Sequence, residues 1–243
     1  MGHFARVSAV VDSLVAYSDI DILLVTGAEG AALVASYFPA GTNVLALAAD
    51  QLQPGGTMLA LSELDWKPDM LILDQYGCVP QWEDEASKSG VQLLVFDDFD
   101  VATRADLIVR PHGGSALEPG STPLRGPSYL PLSRHIVRLA KAPRPDHGSR
   151  LRLNICFGGS DPTGETMKSL QAISELDGFD VDVIVGPRAN IDAHLADTIR
   201  AIPHTAFHLA PSQEELAKLM SQADLAIGAG GVMLWERLGL GVP

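Results

Sequence analysis

Residues 151–162 read LRLNICFGGSDP. An apolar run rich in Leu and Ile ends in a Gly-Gly turn. Ser160-Asp161-Pro162 follows, a capping residue ahead of a proline suited to a first helical turn. Met167, Leu170 and Ile173 then continue at near-helical spacing. The same order of strand, glycine turn and helix recurs at 223–236, ADLAIGAGGVMLWE.

Working outward, short runs of Leu, Ile and Val predict strands at 21–26, 43–48, 69–73, 91–96 and 106–109. Beyond a break, further strands are predicted at 151–157, 180–185, 205–209 and 224–227. Helical stretches separate most of them. Ser212 with Glu215 forms a capping box ahead of Leu216, Leu219 and Met220. An opening helix would carry Val7, Val10, Val11 and Leu14 on its apolar face. Near-continuous apolar strands alternating with helices give an α/β fold with parallel sheets covered on both faces. The stretch KAPRPDHGSR at 141–150 has the polar, proline-containing character of a linker. The expected organisation is therefore an N-terminal α/β domain over 1–140, a linker over 141–150 and a C-terminal α/β domain over 151–243. A doubly wound domain normally begins with a strand. Here a glycine-histidine turn comes first and GLGVP last, so a missing first strand and missing final elements are expected.

Composition narrows the function. The chain has 243 residues, a net charge of −13 and 47% hydrophobic residues, so a packed core is expected. An acidic chain is a poor nucleic-acid binder, because phosphate-backbone affinity needs clustered Lys and Arg. A nucleotide ligand is still compatible, since helix N-termini can hold phosphates with backbone N–H groups. Two cysteines, Cys78 and Cys156, lie in or just after apolar runs and fit buried thiols of a reducing compartment. No apolar run reaches the roughly 18 residues of a membrane span, and no signal peptide is visible. The cytoplasm is the expected compartment, without stable membrane insertion. The histidines show no metal-ligand spacing with one another or with a cysteine, so no metal is expected.

In open α/β sheets, ligands bind beyond the carboxyl ends of the strands, and five turns there carry candidate chemistry. Gly2-His3-Phe4-Ala5-Arg6 puts His3 in a first helical turn, where the dipole favours a neutral imidazole able to take a proton. An exposed terminal histidine is the alternative. Asp74-Gln75-Tyr76-Gly77 ends a strand, and Tyr76 can hydrogen-bond a sugar or water. An ordinary strand-end carboxylate and a packed tyrosine is the alternative. Asp97, Asp98 and Asp100 either hold a cation or cap the turn, and the structural role is favoured. Gly158, Gly159 and Ser160 form a candidate anion turn. Gly230, Gly231 and Val232 would aim N–H groups at a diphosphate, with Glu236 one turn on to accept the hydroxyls of a ribose. A closely packed helix with Glu236 in an ion pair is the alternative.

Taken in order, GH-x-x-R (Gly2, His3, Arg6), LDQYG (73–77), FDDF (96–99), GPSYLPL (126–132), CFGGSDP (156–162), ADLAIGAGGVMLWE (223–236) and GLGVP (239–243) resemble one family. It is the family of hydrolases that cleave UDP-2,4-diacetamido-2,4,6-trideoxy-β-L-altropyranose in pseudaminic acid biosynthesis. The resemblance implies a glycosyltransferase-B-type fold, two Rossmann-like domains facing a cleft, and metal-independent release of UDP by water with inversion at the anomeric carbon. It implies catalytic roles for His3 and Tyr76. Substrate contacts are expected from Gly2, Arg6 and Asp74, from Gly158, Gly159 and Ser160, and from Gly230, Gly231, Val232 and Glu236. GPSYLPL would connect the domains. No cofactor is expected, the partners are the UDP-sugar and UDP, and the chain is expected to be a monomer. The sugar's use in flagellin or other surface glycans rests on the resemblance alone. Gly231 and Val232 stand where the family commonly has a serine or threonine. The rival readings are a glycosyltransferase of the same fold, a non-enzymatic nucleotide-sugar binder, and a UDP-GlcNAc 2-epimerase using Asp74 and Asp97.

Overall fold

The structure is a computed structural model that describes residues 2–17, 19–77, 79–112, 122–143 and 145–243. Cys78 therefore lies outside the described residues. The chain opens with α1 (Gly2–Tyr17), β1 (Leu23–Gly27), the single turns α2 (Ala28–Ala31) and α3 (Val34–Tyr37), and β2 (Asn43–Leu47). Next come α4 (Pro54–Glu63), β3 (Met70–Leu73), α5 (Val79–Ser89), β4 (Gln92–Phe96), β5 (Leu107–Arg110) and β6 (Thr122–Arg125). After a short 3-10 turn follow α6 (Arg134–Leu139), β7 (Leu151–Cys156), α7 (Glu165–Ile173), β8 (Phe179–Val185) and α8 (Ala193–Ala201). The last elements are β9 (Thr205–Leu209), α9 (Gln213–Ser221), β10 (Leu225–Gly228) and α10 (Val232–Gly239). All nine predicted strands are present. β6 was not expected, because Pro123 removes a backbone donor and marks a run as a poor strand. β6 stands at the edge of its sheet, where a proline is tolerated.

The chain packs as two compact units. One comprises residues up to Ala9 together with Leu132–Pro243, and the other comprises Val10–Pro131. The division falls inside GPSYLPL and not in the polar stretch 141–150. The reason is α6: Ser133 caps it by accepting from the Ile136 N–H, and Ile136 is buried with Ala217, Met220, Leu240 and Val242. The helix expected before the boundary thus packs with the carboxyl-terminal elements.

In the unit ending at Pro243, the sheet order is β10-β7-β8-β9 and every pairing is parallel. Alternate residues of β7 and β8, Leu153, Ile155, Val181, Val183 and Val185, pack on Leu170 and Ile173 of α7 and on Leu195 and Ile199 of α8. α6, α9 and α10 supply a second core cluster. α9 begins with the capping box between Ser212 and Glu215, as its sequence requires. The other unit has a parallel pair β1-β2 and a parallel sheet β3-β4-β5-β6. Its core joins Leu73, Leu93, Val95 and Ile108 to Val79, Trp82 and Ala86 of α5.

α1 corrects the expected amphipathic face. Val11 is buried, but so are Arg6, Ser8 and Ala9, while Leu14 is exposed. Tertiary contacts, and not the apolar periodicity, set which side of this helix is covered.

Candidate functional site

The glycine turns of the first unit meet at the carboxyl ends of β7, β8 and β10. After β7 the chain turns at Gly158, whose φ of +81° suits glycine. The helix does not start at Pro162 as its sequence suggests. It starts at Glu165, behind a left-handed Gly164. Asp161 still caps it from four residues away, accepting from the N–H groups of Glu165 and Thr166, each at 2.9 Å. Burial raises the Asp161 carboxyl, but the bonds from Thr166 and Glu165 outweigh it and hold it below its ordinary value. The chain's own carboxylate therefore occupies these α7 donors. Gly158, Gly159 and Ser160 can offer a ligand the turn backbone, but not these two N–H groups.

α10 is the contrasting case. Gly231 precedes it at φ +74° and no side chain caps it. The Leu234 N–H donates to the Gly231 carbonyl at 3.1 Å, while no side chain caps the N–H groups of Val232 and Met233, and an uncapped helix start of this kind favours an anion. Glu236 lies one turn further on and is buried. Burial pushes its carboxyl up from 4.5 to about 7, and the neighbouring Arg237 only partly opposes this. Arg237 is itself buried. Its Nη2 donates to the Ala229 carbonyl at 2.9 Å, which fixes the strand end that leads into the glycine turn.

α1 enters the same place. A Cβ on Gly2 would lie 3.5 Å from Cγ2 of Val232. The helix start carrying His3 is thus adjacent to the start of α10. His3 is half-buried and Arg6 is buried within this helix. Gly2 and Val232, 230 positions apart in sequence, are brought together.

In this region Gly186 and Arg237 escaped the sequence reading, and Gly228 was read only as the opening of the glycine-rich turn before α10. A Cβ on Gly186, just after β8, would overlap the Gly158 carbonyl oxygen and the Gly159 Cα. The Arg188 N–H also donates to the Gly159 carbonyl at 2.9 Å. A Cβ on Gly228 would overlap the Cys156 carbonyl oxygen and the Arg237 guanidinium. A glycine directly after an apolar strand was the only available signal for Gly186. Arg237 gave none. Gly186→Ala is expected to destabilise the chain by about 1–3 kcal/mol, because backbone on the far side must yield. A urea midpoint equal to that of the parent chain would show that the turn gives way freely. Beneath these turns the Cys156 thiol is pushed by burial up to about 11, which makes it a packing group and not a nucleophile at neutral pH.

The second unit holds the other candidates. Asp74 is half-buried after β3, and Gly77 turns at φ +76°. Tyr76 is exposed. Its hydroxyl donates to Asp98 Oδ2 at 3.3 Å, and its ring meets Phe99 edge-on with centroids 4.8 Å apart. Asp97 and Asp100 serve the fold. Arg110, fully buried, pairs with both at 2.7 Å, and Asp97 Oδ1 also accepts from the Phe99 N–H. Among the described residues no group of three His, Cys, Asp or Glu could hold a metal ion. Nor is any helix among them long and apolar enough to cross a membrane.

Comparison with solved structures fits this architecture. MurG of Acinetobacter baumannii superimposes with a TM-score of 0.57 at 17% identity, over 96% of this chain and 70% of that one. The UDP-GlcNAc 2-epimerase of Neisseria meningitidis, bound to UDP-GlcNAc, gives 0.58 at 10% identity, over 99% and 78%. The UDP-GlcNAc 2-epimerase of Methanocaldococcus jannaschii gives 0.56 at 12% identity, over 98% and 79%. The fold is of the glycosyltransferase-B type. No protein-family profile matches the chain. In sequence, the uncharacterized protein MJ1062 of Methanocaldococcus jannaschii is 27% identical over 191 residues, which cover 73% of this chain. The match spans 40% of that relative's length.

Proposed function

We propose that this chain is the nucleotide-sugar-handling core of a UDP-sugar hydrolase. The observation that carries the proposal is the approach of the α1 start, with its histidine, to the uncapped, glycine-opened start of α10, with Glu236 one turn behind. The diphosphate of UDP lies against α10, on the N–H groups that follow Gly230 and Gly231. The Glu236 carboxylate accepts the ribose hydroxyls. His3 takes a proton from water as the water oxygen bonds to the anomeric carbon. The electron pair of the breaking C–O bond passes to the β-phosphate of UDP, where the helix donors stabilise the growing charge. UDP and a free sugar of inverted anomeric configuration are released without a metal.

The motif series favours UDP-2,4-diacetamido-2,4,6-trideoxy-β-L-altropyranose as substrate. The test is UDP release from that compound by the full-length protein, followed by NMR with EDTA present and no acceptor. Release establishes hydrolysis. Release only when an acceptor is added moves the assignment to a glycosyltransferase, and UDP binding without either moves it to a binding module. An epimerase would need free carboxylates for proton abstraction. Asp97 is committed to Arg110 and the Phe99 N–H, which weighs against that reading.

A further inference from the structure

Arg125 ends β6, the edge strand of the sheet β3-β4-β5-β6. Nε and Nη2 of its guanidinium are shut off from solvent and have no hydrogen-bond partner, and no carboxylate among the described residues pairs with it. We infer that Arg125 is the centre of an oxyanion site, which takes a carboxylate or phosphate group of a small-molecule ligand. The inference stands apart from the nucleotide-sugar reading, because every residue it uses lies within Val10–Pro131.

A guanidinium edge that is buried without an acceptor loses its water and gains nothing in exchange. The neighbouring arginine shows the contrast. Arg110 stands opposite Arg125 in the parallel ladder of β5 and β6, so both side chains leave the same face of the sheet. Arg110 is fully supplied with acceptors. Its Nε and Nη2 reach Asp97 Oδ2 at 2.7 Å, its Nη1 reaches Asp100 Oδ1 at 2.7 Å, and Nη2 also donates to the Val101 carbonyl. Asp97 follows β4, and β5 lies between it and β6. These carboxylates attract Arg125 at longer range, but they do not give its fork the acceptors it requires.

The position suits a ligand. Arg110 and Arg125 are the last residues of their strands, and ligands of parallel sheets bind beyond such ends. Arg125 is half-buried, and the space beside it is open: a Cβ on Gly126 would meet no atom within 4 Å. Turning the guanidinium toward that opening breaks no hydrogen bond. The edge formed by Nε and Nη2 matches two oxygens of a carboxylate or phosphate in a bidentate pair. Water accepts from the same N–H groups but brings no charge, and a cation is repelled.

The probes are inorganic phosphate and acetate, titrated separately into the full chain with chloride holding the ionic strength constant. Two readouts are taken: the Nε–H resonance of Arg125, assigned by its loss in Arg125→Met, and the melting temperature. The expected result is a saturable shift of that resonance with at least one probe, and a rise in melting temperature that Arg125→Met abolishes. Arg125→Lys, which keeps a charge but lacks the planar fork, should reduce the rise. A response to phosphate alone assigns a phosphorylated ligand, one to acetate alone assigns a carboxylate, and a response to both supports the oxyanion site in its general form. An Arg125 resonance that neither probe moves would overturn the site. So would a melting-temperature rise that persists in Arg125→Met, which would place the bound anion elsewhere, as at the start of α10, and leave the nucleotide reading untouched.

Discussion

His3→Asn in the full-length protein is expected to lower kcat for UDP release by about 10²–10⁴-fold, the range for loss of one positioned base. UDP affinity should stay essentially unchanged. The split follows from position. His3 lies in the first turn of a helix whose start is packed near Val232, beside the open end of α10 but outside its run of backbone donors. Asparagine keeps a polar side chain of similar reach and removes the imidazole to which the base role is assigned. Single-turnover kinetics with a parallel UDP titration separate the two effects. Unchanged turnover would remove His3 from the chemistry. An equal loss of turnover and UDP affinity would make it a binding or structural residue instead.

Glu236→Gln should move stability and binding in opposite directions. In the folded chain the Glu236 carboxyl is raised from 4.5 to about 7. Below pH 4.5 it is protonated in both folded and unfolded states and contributes no pH dependence. Between 4.5 and about 7 the unfolded state releases this proton first, so stability falls as pH rises. Above about 7 the whole penalty is present, on the order of 3 kcal/mol for a displacement of this size. A neutral amide at this position would carry no such penalty. The variant should therefore match the parent below pH 4.5 and exceed it by up to about 3 kcal/mol at about pH 8, in urea melts without ligand. Binding should suffer in return. Hydrogen bonds from ribose hydroxyls to a carboxylate are worth about 1.5–3 kcal/mol, so UDP should bind roughly 10–100-fold more weakly to the variant at about pH 8. A stability difference that does not grow with pH would place Glu236 in a solvated or paired setting. Equal UDP affinity would detach it from the ribose.

Such a trade between stability and binding is common at functional sites, and here its cause is visible. Glu236 is buried in α10, and the neighbouring Arg237 donates from Nη2 to the Ala229 carbonyl. Burial lowers the Arg237 guanidinium as well. The carboxylate is thus left with little compensation until a ligand hydroxyl reaches it.

Much of this was legible in the residues. Apolar runs located nine strands, because parallel strands covered on both faces must be apolar along their length. The pairing of Ser212 with Glu215 located a helix start to the residue, because cap and third position satisfy each other locally. The glycine turns after β7 and β10 were legible because a strand must reverse into a helix there. Other features depended on contacts between distant parts of the chain. Pro123 hid β6, whose edge position alone makes a proline acceptable. Asp161-Pro162 suggested a helix start three residues early, since no local rule shows that Asp161 reaches forward to two later N–H groups. Ile136 assigned α6 to the carboxyl-terminal unit through contacts with residues about 80 to 105 positions away. By itself the sequence determined the α/β class, the strands and the glycine turns that follow β7 and β10, because each follows from neighbours within a few residues. Only the tertiary structure decided that Gly2 meets Val232, that Gly186 and Gly228 must lack side chains, and that Glu236 is buried with its charge poorly compensated, because those facts arise where separate strands and helices come within van der Waals reach.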